Sequence, residues 1–246
     1  MIDPPFAATG GLAGEFRIAN IFGQSFAILS RDFLPFVLLT ALATSPNLLV
    51  ALAGGVESHL VSSVLAILLG LVLGSLAQAF VLHGAFQHMM GREVRAGESL
   101  AVALARFFPI IGTSVCVTFA IAFGSLLLIL PGITWLMMWW VAVPVCVVEG
   151  LGPIHSMRRS RELTRGHRWK LFEIFVLLII LDVVASSLLG LVVAGVGAIP
   201  SAVVTWVWMA VYTAFSAIVA ITAYHDLRVL KDGVDTQQIA AGFAGG

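Results

Sequence analysis

The sequence predicts an all-α, polytopic membrane protein with about six transmembrane helices and cytoplasmic interfacial amphipathic helices. Three observations predict it. Of the 246 residues, 60% are hydrophobic and 11% charged, against roughly half and a quarter in an ordinary soluble domain. The apolar residues come in long blocks, near the about 20 residues that carry a helix across a hydrocarbon core of about 30 Å. The 13 Lys and Arg residues all fall in alternate connections between those blocks. Lipid cannot satisfy exposed backbone groups, so spans are helices or closed barrels. Barrel strands would read as segments of about ten residues with polar alternation, and these blocks are longer and apolar on all sides.

Residues 1–14 are expected to be a flexible tail, lacking the basic start and apolar core of a signal peptide. A single transmembrane domain follows over residues 15–225, and residues 226–246 are expected to be a cytoplasmic tail. Within the domain, Arg17, Asn20, Gln24 and Arg31 form a polar stripe, and Ile18, Phe22, Phe26, Leu29 and Phe33 an apolar one. That is the pattern of a helix lying in the membrane interface. The spans are expected at about residues 33–53, 59–86, 108–130, 133–148, 171–198 and 202–224. Between the second and third, residues 98–107 repeat the amphipathic pattern weakly, with Leu100, Leu104 and Phe107 apolar. Between the fourth and fifth, residues 154–169 repeat it strongly. The chain thus reads as three pseudo-repeated units, each an interfacial helix followed by a hairpin of two spans.

Orientation follows from charge. Arg17 and Arg31 precede the first span, and Arg92, Arg95 and Arg106 lie between the second and third. Six more, Arg158 to Lys170, lie between the fourth and fifth. Arg228 and Lys231 follow the sixth. With six spans every one lies on one side, and the positive-inside rule makes that side cytoplasmic, termini included. The other side carries Glu57 and short turns. Gly112, Cys116, Ala120 and Gly124 in the third span, and Gly70 and Gly74 in the second, are spaced for close helix approach. Pro46 and Pro144 mark kinks. Cys116 and Cys146 sit in apolar blocks and read as small buried hydrophobes.

Few residues carry chemistry. Asp182 lies about twelve residues into the fifth span, where an acid is a functional candidate by default. The bland alternative is a neutral carboxyl bonded to Ser186 or Tyr212. Glu173, nearer the cytoplasmic start of that helix, is expected to reach the interface or pair with Arg168 or Lys170. Arg158, Arg161, Arg165 and Arg168 recur at three, four and three, forming a basic stripe suited to anionic lipid headgroups. Part of the stripe is a topology signal, and Arg158 is also placed to pair with Glu162 one turn on. Glu149, leaving the fourth span, is placed for an ion pair with Arg158 or Arg159. No HExxH, GxSxG or Walker pattern is present. Ser160-Arg161 followed by His167 matches a fragment of the lipid phosphate phosphatase signature, but Leu171 stands where that signature needs Asp. The histidines lack metal-ligand spacing, so no metal, cofactor or enzymatic activity is expected, and no nucleic-acid partner.

Residues 127–169 contain Pro131-Gly132, Pro144, Glu149-Gly150, Pro153, Ser160, Leu163-Thr164, Gly166, Arg168 and Trp169. With Ile21-Phe22 near the start, and Tyr224-His225-Asp226 and Lys231-Asp232 near the end, this pattern resembles a bacterial family. That family is named for the glycerophosphoryl diester phosphodiesterase membrane domain, and its role is unsettled. Some members fuse the membrane part to a phosphodiesterase. Here about 22 residues follow the last span, too few for a catalytic domain. The resemblance implies a multi-pass protein of the bacterial inner membrane, involved in envelope upkeep, and supplies no catalytic residues. The expected function is non-enzymatic organisation of membrane lipids, anionic ones foremost, or of membrane protein partners. The alternative is a small transporter or channel using Asp182.

Overall fold

The computed structural model describes residues 16–52, 60–89, 96–127 and 129–232. Ten helices follow one another among them: α1 (Ile18–Arg31), α2 (Phe33–Leu52), α3 (Leu60–Met89), α4 (Ala96–Ala105), α5 (Phe107–Leu127), α6 (Ile129–Trp139), α7 (Ala142–Glu149), α8 (Pro153–Thr164), α9 (Arg168–Val193) and α10 (Ala198–Asp232). The described residues contain no strand. The expected tail 1–14, the turn at Glu57, and Arg92 and Arg95 lie outside them, as does most of the expected tail 226–246. Four stretches are long and apolar enough to cross a membrane: Phe107–Leu126, Gly132–Glu149, Arg168–Val193 and Ala198–Asp232. A fifth is added if α1 and α2, which meet at 90°, form one bent span.

The long helices pair as antiparallel hairpins, α2 with α3, α5 with α6 and α9 with α10, and α10 also packs against α2. The 90° corner between α1 and α2 falls at Asp32, whose N–H closes α1 on the Ile28 carbonyl at 3.2 Å. Pro35 sits in the first turn of α2, where a missing N–H breaks no helical bond. Asp32 is tied to the end of α3 by its carboxylate, 3.1 Å from His88 Nδ1. Small hydroxyls seal the helix contacts. Thr40 donates to the Ala210 carbonyl at 2.9 Å, and Ser25 to Thr222 at 3.3 Å. In lipid such bonds and close packing replace the hydrophobic drive between helices.

The buried core lies at one end of the bundle. It joins α1, the C-terminal part of α3, α7, the start of α9 and the C-terminal part of α10, through residues such as Ile21, Leu82, Val145, Ile174 and Ile221. The other ends of α5, α9 and α10 expose Phe123, Leu126, Leu188, Val192 and Val203. Apolar faces of this extent are stable where lipid covers them. The short amphipathic helices bury small hydroxyls beside apolar side chains, Ser25 with Ile21 and Ile28 in α1, and Ser156 and Ser160 with Leu163 in α8, while single large apolar residues, Phe26, Leu104 and Ile154, stay exposed.

The expected fourth span, residues 133–148, falls within Gly132–Glu149, one of the stretches able to cross, and a turn at Trp140–Val141 divides it into α6 and α7. Pro144 explains the position: it offers no N–H to the Trp140 carbonyl four residues back, and its ring crowds that carbonyl. Every residue of α7 from Ala142 to Val147 is buried. α8 then folds back beside α7 and the end of α6, where Ser160 donates to the Met138 carbonyl at 2.8 Å and Thr164 reaches the same oxygen at 3.4 Å. Hydroxyls of a neighbouring helix thus serve a carbonyl beside the break.

Candidate functional site

The turn between α7 and α8, Gly150-Leu151-Gly152, sets the geometry of the basic end. Gly150 closes α7 in the left-handed conformation, φ +70°, which favours glycine. A Cβ there would lie 2.8 Å from the Arg106 guanidinium. Arg106 uses that space to donate to the carbonyls of Val147 at 2.7 Å and Cys146 at 3.3 Å. It satisfies the orphan carbonyls of the helix end and brings a cation to the negative end of the helix dipole. Pro153 occupies the first turn of α8 and packs where α5 has Gly112, whose added Cβ would sit 2.9 Å from the proline ring. In the expected small-residue row of α5, Gly112 and Gly124 therefore face α8 and α6. Cys116 is exposed.

Glu149 is the centre of a charged cluster. Its Oε1 accepts from Tyr224 at 2.9 Å and from Arg159 Nε at 3.3 Å. Arg159 also donates to Asp232, which lies 3.8 Å from Arg228. Burial alone would lower the Arg159 pKa; the hydrogen bond to Asp232 and the charges of Glu149 and Asp232 outweigh it and raise the value. The cluster ties α7, α8 and α10 together. Tyr224, Arg228 and Asp232 stand at spacings of four along α10, one face of a helix. That spacing was the available sign of the cluster, and the sequence reading had not used it.

The sequence-predicted residues separate into two groups. Of the two partners expected for Glu149, Arg159 is the one in contact. Arg158 instead lies 3.5 Å from Glu162 on the exposed side of α8. Arg161 and Arg165 are exposed and lack a side-chain partner among the described residues. Arg168 begins α9, and its Nε is buried without an acceptor. Lys170 turns away from the stripe, donating to the Phe16 carbonyl at 3.0 Å. Glu173 is exposed and forms no described ion pair with Arg168 or Lys170. Burial, then the charges of Lys231 and Lys170, push the His167 imidazole below its ordinary value.

Asp182 lies elsewhere, partway along α9. Its carboxylate accepts from the Trp208 indole N–H at 2.9 Å. The expected partners are engaged differently: Ser186 bonds the Val183 carbonyl at 3.2 Å, and Tyr212 the Leu178 carbonyl at 3.4 Å. Ser160 and His167, the phosphatase-like fragment, do not meet as a pair, since Ser160 is buried on the Met138 carbonyl and His167 lies 5.9 Å from the Phe16 ring. Among the described residues no cluster of His, Cys, Asp or Glu has the arrangement of a metal site. No family model, curated protein or solved structure matches the chain.

Proposed function

We propose that this chain is a non-enzymatic multi-pass protein of the bacterial inner membrane that gathers anionic phospholipid at its basic, cytoplasmic end. The observation that carries the reading is the contrast between two sets of charges. Most acids at that end are engaged: Glu149 and Asp232 bind Arg159, Asp32 lies against His88 and Glu162 pairs with Arg158, while Glu173 is exposed. Arg161 and Arg165 are exposed without a side-chain partner among the described residues, and half-buried Arg168 has none for its Nε. An unpaired cation beside an apolar surface seeks an anion there, and each adds about 1 kcal/mol of attraction to an acidic membrane face. The family resemblance of residues 127–169 points to the same compartment. The transporter alternative has weaker support, because Asp182 is held by Trp208 on a helix whose neighbouring Leu181, Val183 and Val184 are exposed.

In this reading the three hairpins enter from the cytoplasmic face. Two of them, α2–α3 and α9–α10, cross and return. The middle one, α5 with α6 and α7, does the same, because Phe107–Leu126 and Gly132–Glu149 are each long and apolar enough to cross. A hairpin that enters and leaves on one side keeps every basic connection cytoplasmic.

The test is the lipid that remains with purified protein. The account expects phosphatidylglycerol enriched over its share of the membrane, and enrichment lost when Arg158, Arg161, Arg165 and Arg168 are all replaced by Gln. Retained lipid of bulk composition in the wild type would contradict it.

A further inference from the structure

α6 and the α8–α9 junction do not close on one another. Between them lies a groove of about 590 Å³, within the about 300–1,000 Å³ of small-molecule sites. The chain reverses along its edge between α8 and α9 at Gly166, whose φ is +91°. The apolar wall is Ile133 and Met137 on one side and Trp169 and Phe172 on the other, the last two rings meeting edge to face at 5.8 Å. Trp169 is 78% exposed at the start of α9, a residue type that collects at the headgroup level of membranes.

Thr134, Gly166, Arg165 and Arg168 complete the lining. A buried guanidinium N–H without an acceptor costs more than an ordinary missing bond, and Arg168 Nε is in that condition. The neighbouring acids do not supply the acceptor. Glu162 sits with Arg158, Asp232 with Arg159 and Arg228, and Glu173 is exposed outside the lining. Among the described residues nothing accepts from Arg168 Nε, and a bound anion would do so. Two guanidinium groups fit a phosphate, which they can grip with paired hydrogen bonds. The wall beside them fits hydrocarbon, and a small hydrophilic anion would leave it wet.

The geometry points to a site for one anionic phospholipid, its phosphodiester on Arg165 and Arg168 and an acyl chain along Ile133, Met137 and Phe172. This rests on the reading of the basic end as lipid-facing, and it localises that reading to two of the four arginines. Native mass spectrometry of the full chain, in detergent with equal phosphatidylglycerol and phosphatidylethanolamine, tests it. The wild type should retain phosphatidylglycerol preferentially. Arg165→Gln with Arg168→Gln should reduce that preference by about fivefold for each arginine, at unchanged thermal stability. Arg158→Gln with Arg161→Gln should leave it intact. Met137→Trp, which fills the groove without touching charge, should also displace the lipid.

Each other outcome overturns the site in a distinguishable way. Equal losses in the two arginine pairs, or a loss confined to Arg158 and Arg161, would remove the groove but leave a lipid-binding stripe. No preference in the wild type would remove both. Displacement by inorganic phosphate at concentrations that leave detergent micelles unchanged would make this a site for a soluble anion. Retained preference in Met137→Trp would remove the acyl-chain contact.

Discussion

Asp182 is a half-buried acid whose contact fits a structural role. Its Oδ1 accepts the Trp208 indole N–H at 2.9 Å, and an indole in an apolar setting needs an acceptor. Asn offers the same oxygen, so Asp182→Asn should change thermal stability in detergent by less than about 1 kcal/mol and complement a deletion strain. Asp182→Leu leaves the Trp208 donor unsatisfied, and should cost about 1–3 kcal/mol. A stable Asn variant that no longer complements would move the protein to the transporter reading. The exceptional position of Asp182 was legible in the sequence, since one acid in a long apolar block needs no structure to be noticed. Its partner was not, because Trp208 lies 26 residues away across the α9–α10 turn, and the register of two apolar helices leaves no mark in either.

At the scale of elements, the α7–α8 corner depends on Gly150. Gly150→Ala would place a Cβ in left-handed backbone, costing about 1–2 kcal/mol, and would also push Arg106 off the α7 carbonyls. Gly152 is the control: its φ is −69° and nothing lies within 4 Å of an added Cβ. Melting in detergent should show Gly150→Ala clearly destabilised and Gly152→Ala nearly unchanged; equal effects would contradict the capping role of Arg106. A basic helix was readable from the arginine spacing and from the Gly and Pro before it, but the expected 154–169 is cut short: α8 ends at Thr164, and Arg168 already belongs to α9. The direction α8 takes was not readable. Pro144 announced the turn at Trp140–Val141, but not that Ser160 and Thr164 of α8 would serve the Met138 carbonyl beside it. The depth of the middle hairpin is open to measurement. A single cysteine at position 131 should react with a membrane-impermeant maleimide added outside intact cells; protection there would show that the middle hairpin does not cross.

For the whole molecule, the one-sidedness of charge and the position of the core agree. The connections expected on the cytoplasmic side, at Asp32, His88, Arg106, Glu149, Arg159 and Lys170, meet in one polar, well-buried end. The opposite ends of α9 and α10 present apolar side chains outward. A soluble bundle would do the reverse, hiding apolar residues along its whole length. Composition and the 13 basic residues made this polarity legible before any coordinates, because both follow from the bilayer as solvent. The groove between α6 and the start of α9 was not legible, since it is made by segments about 30 residues apart in the chain. The most direct test of the account is single-cysteine labelling, in a background with Cys116→Ser and Cys146→Ser, at positions 166 and 199. A membrane-impermeant maleimide should label position 199 in intact cells and position 166 only after the inner membrane is opened. Labelling of position 166 from outside intact cells would contradict the account.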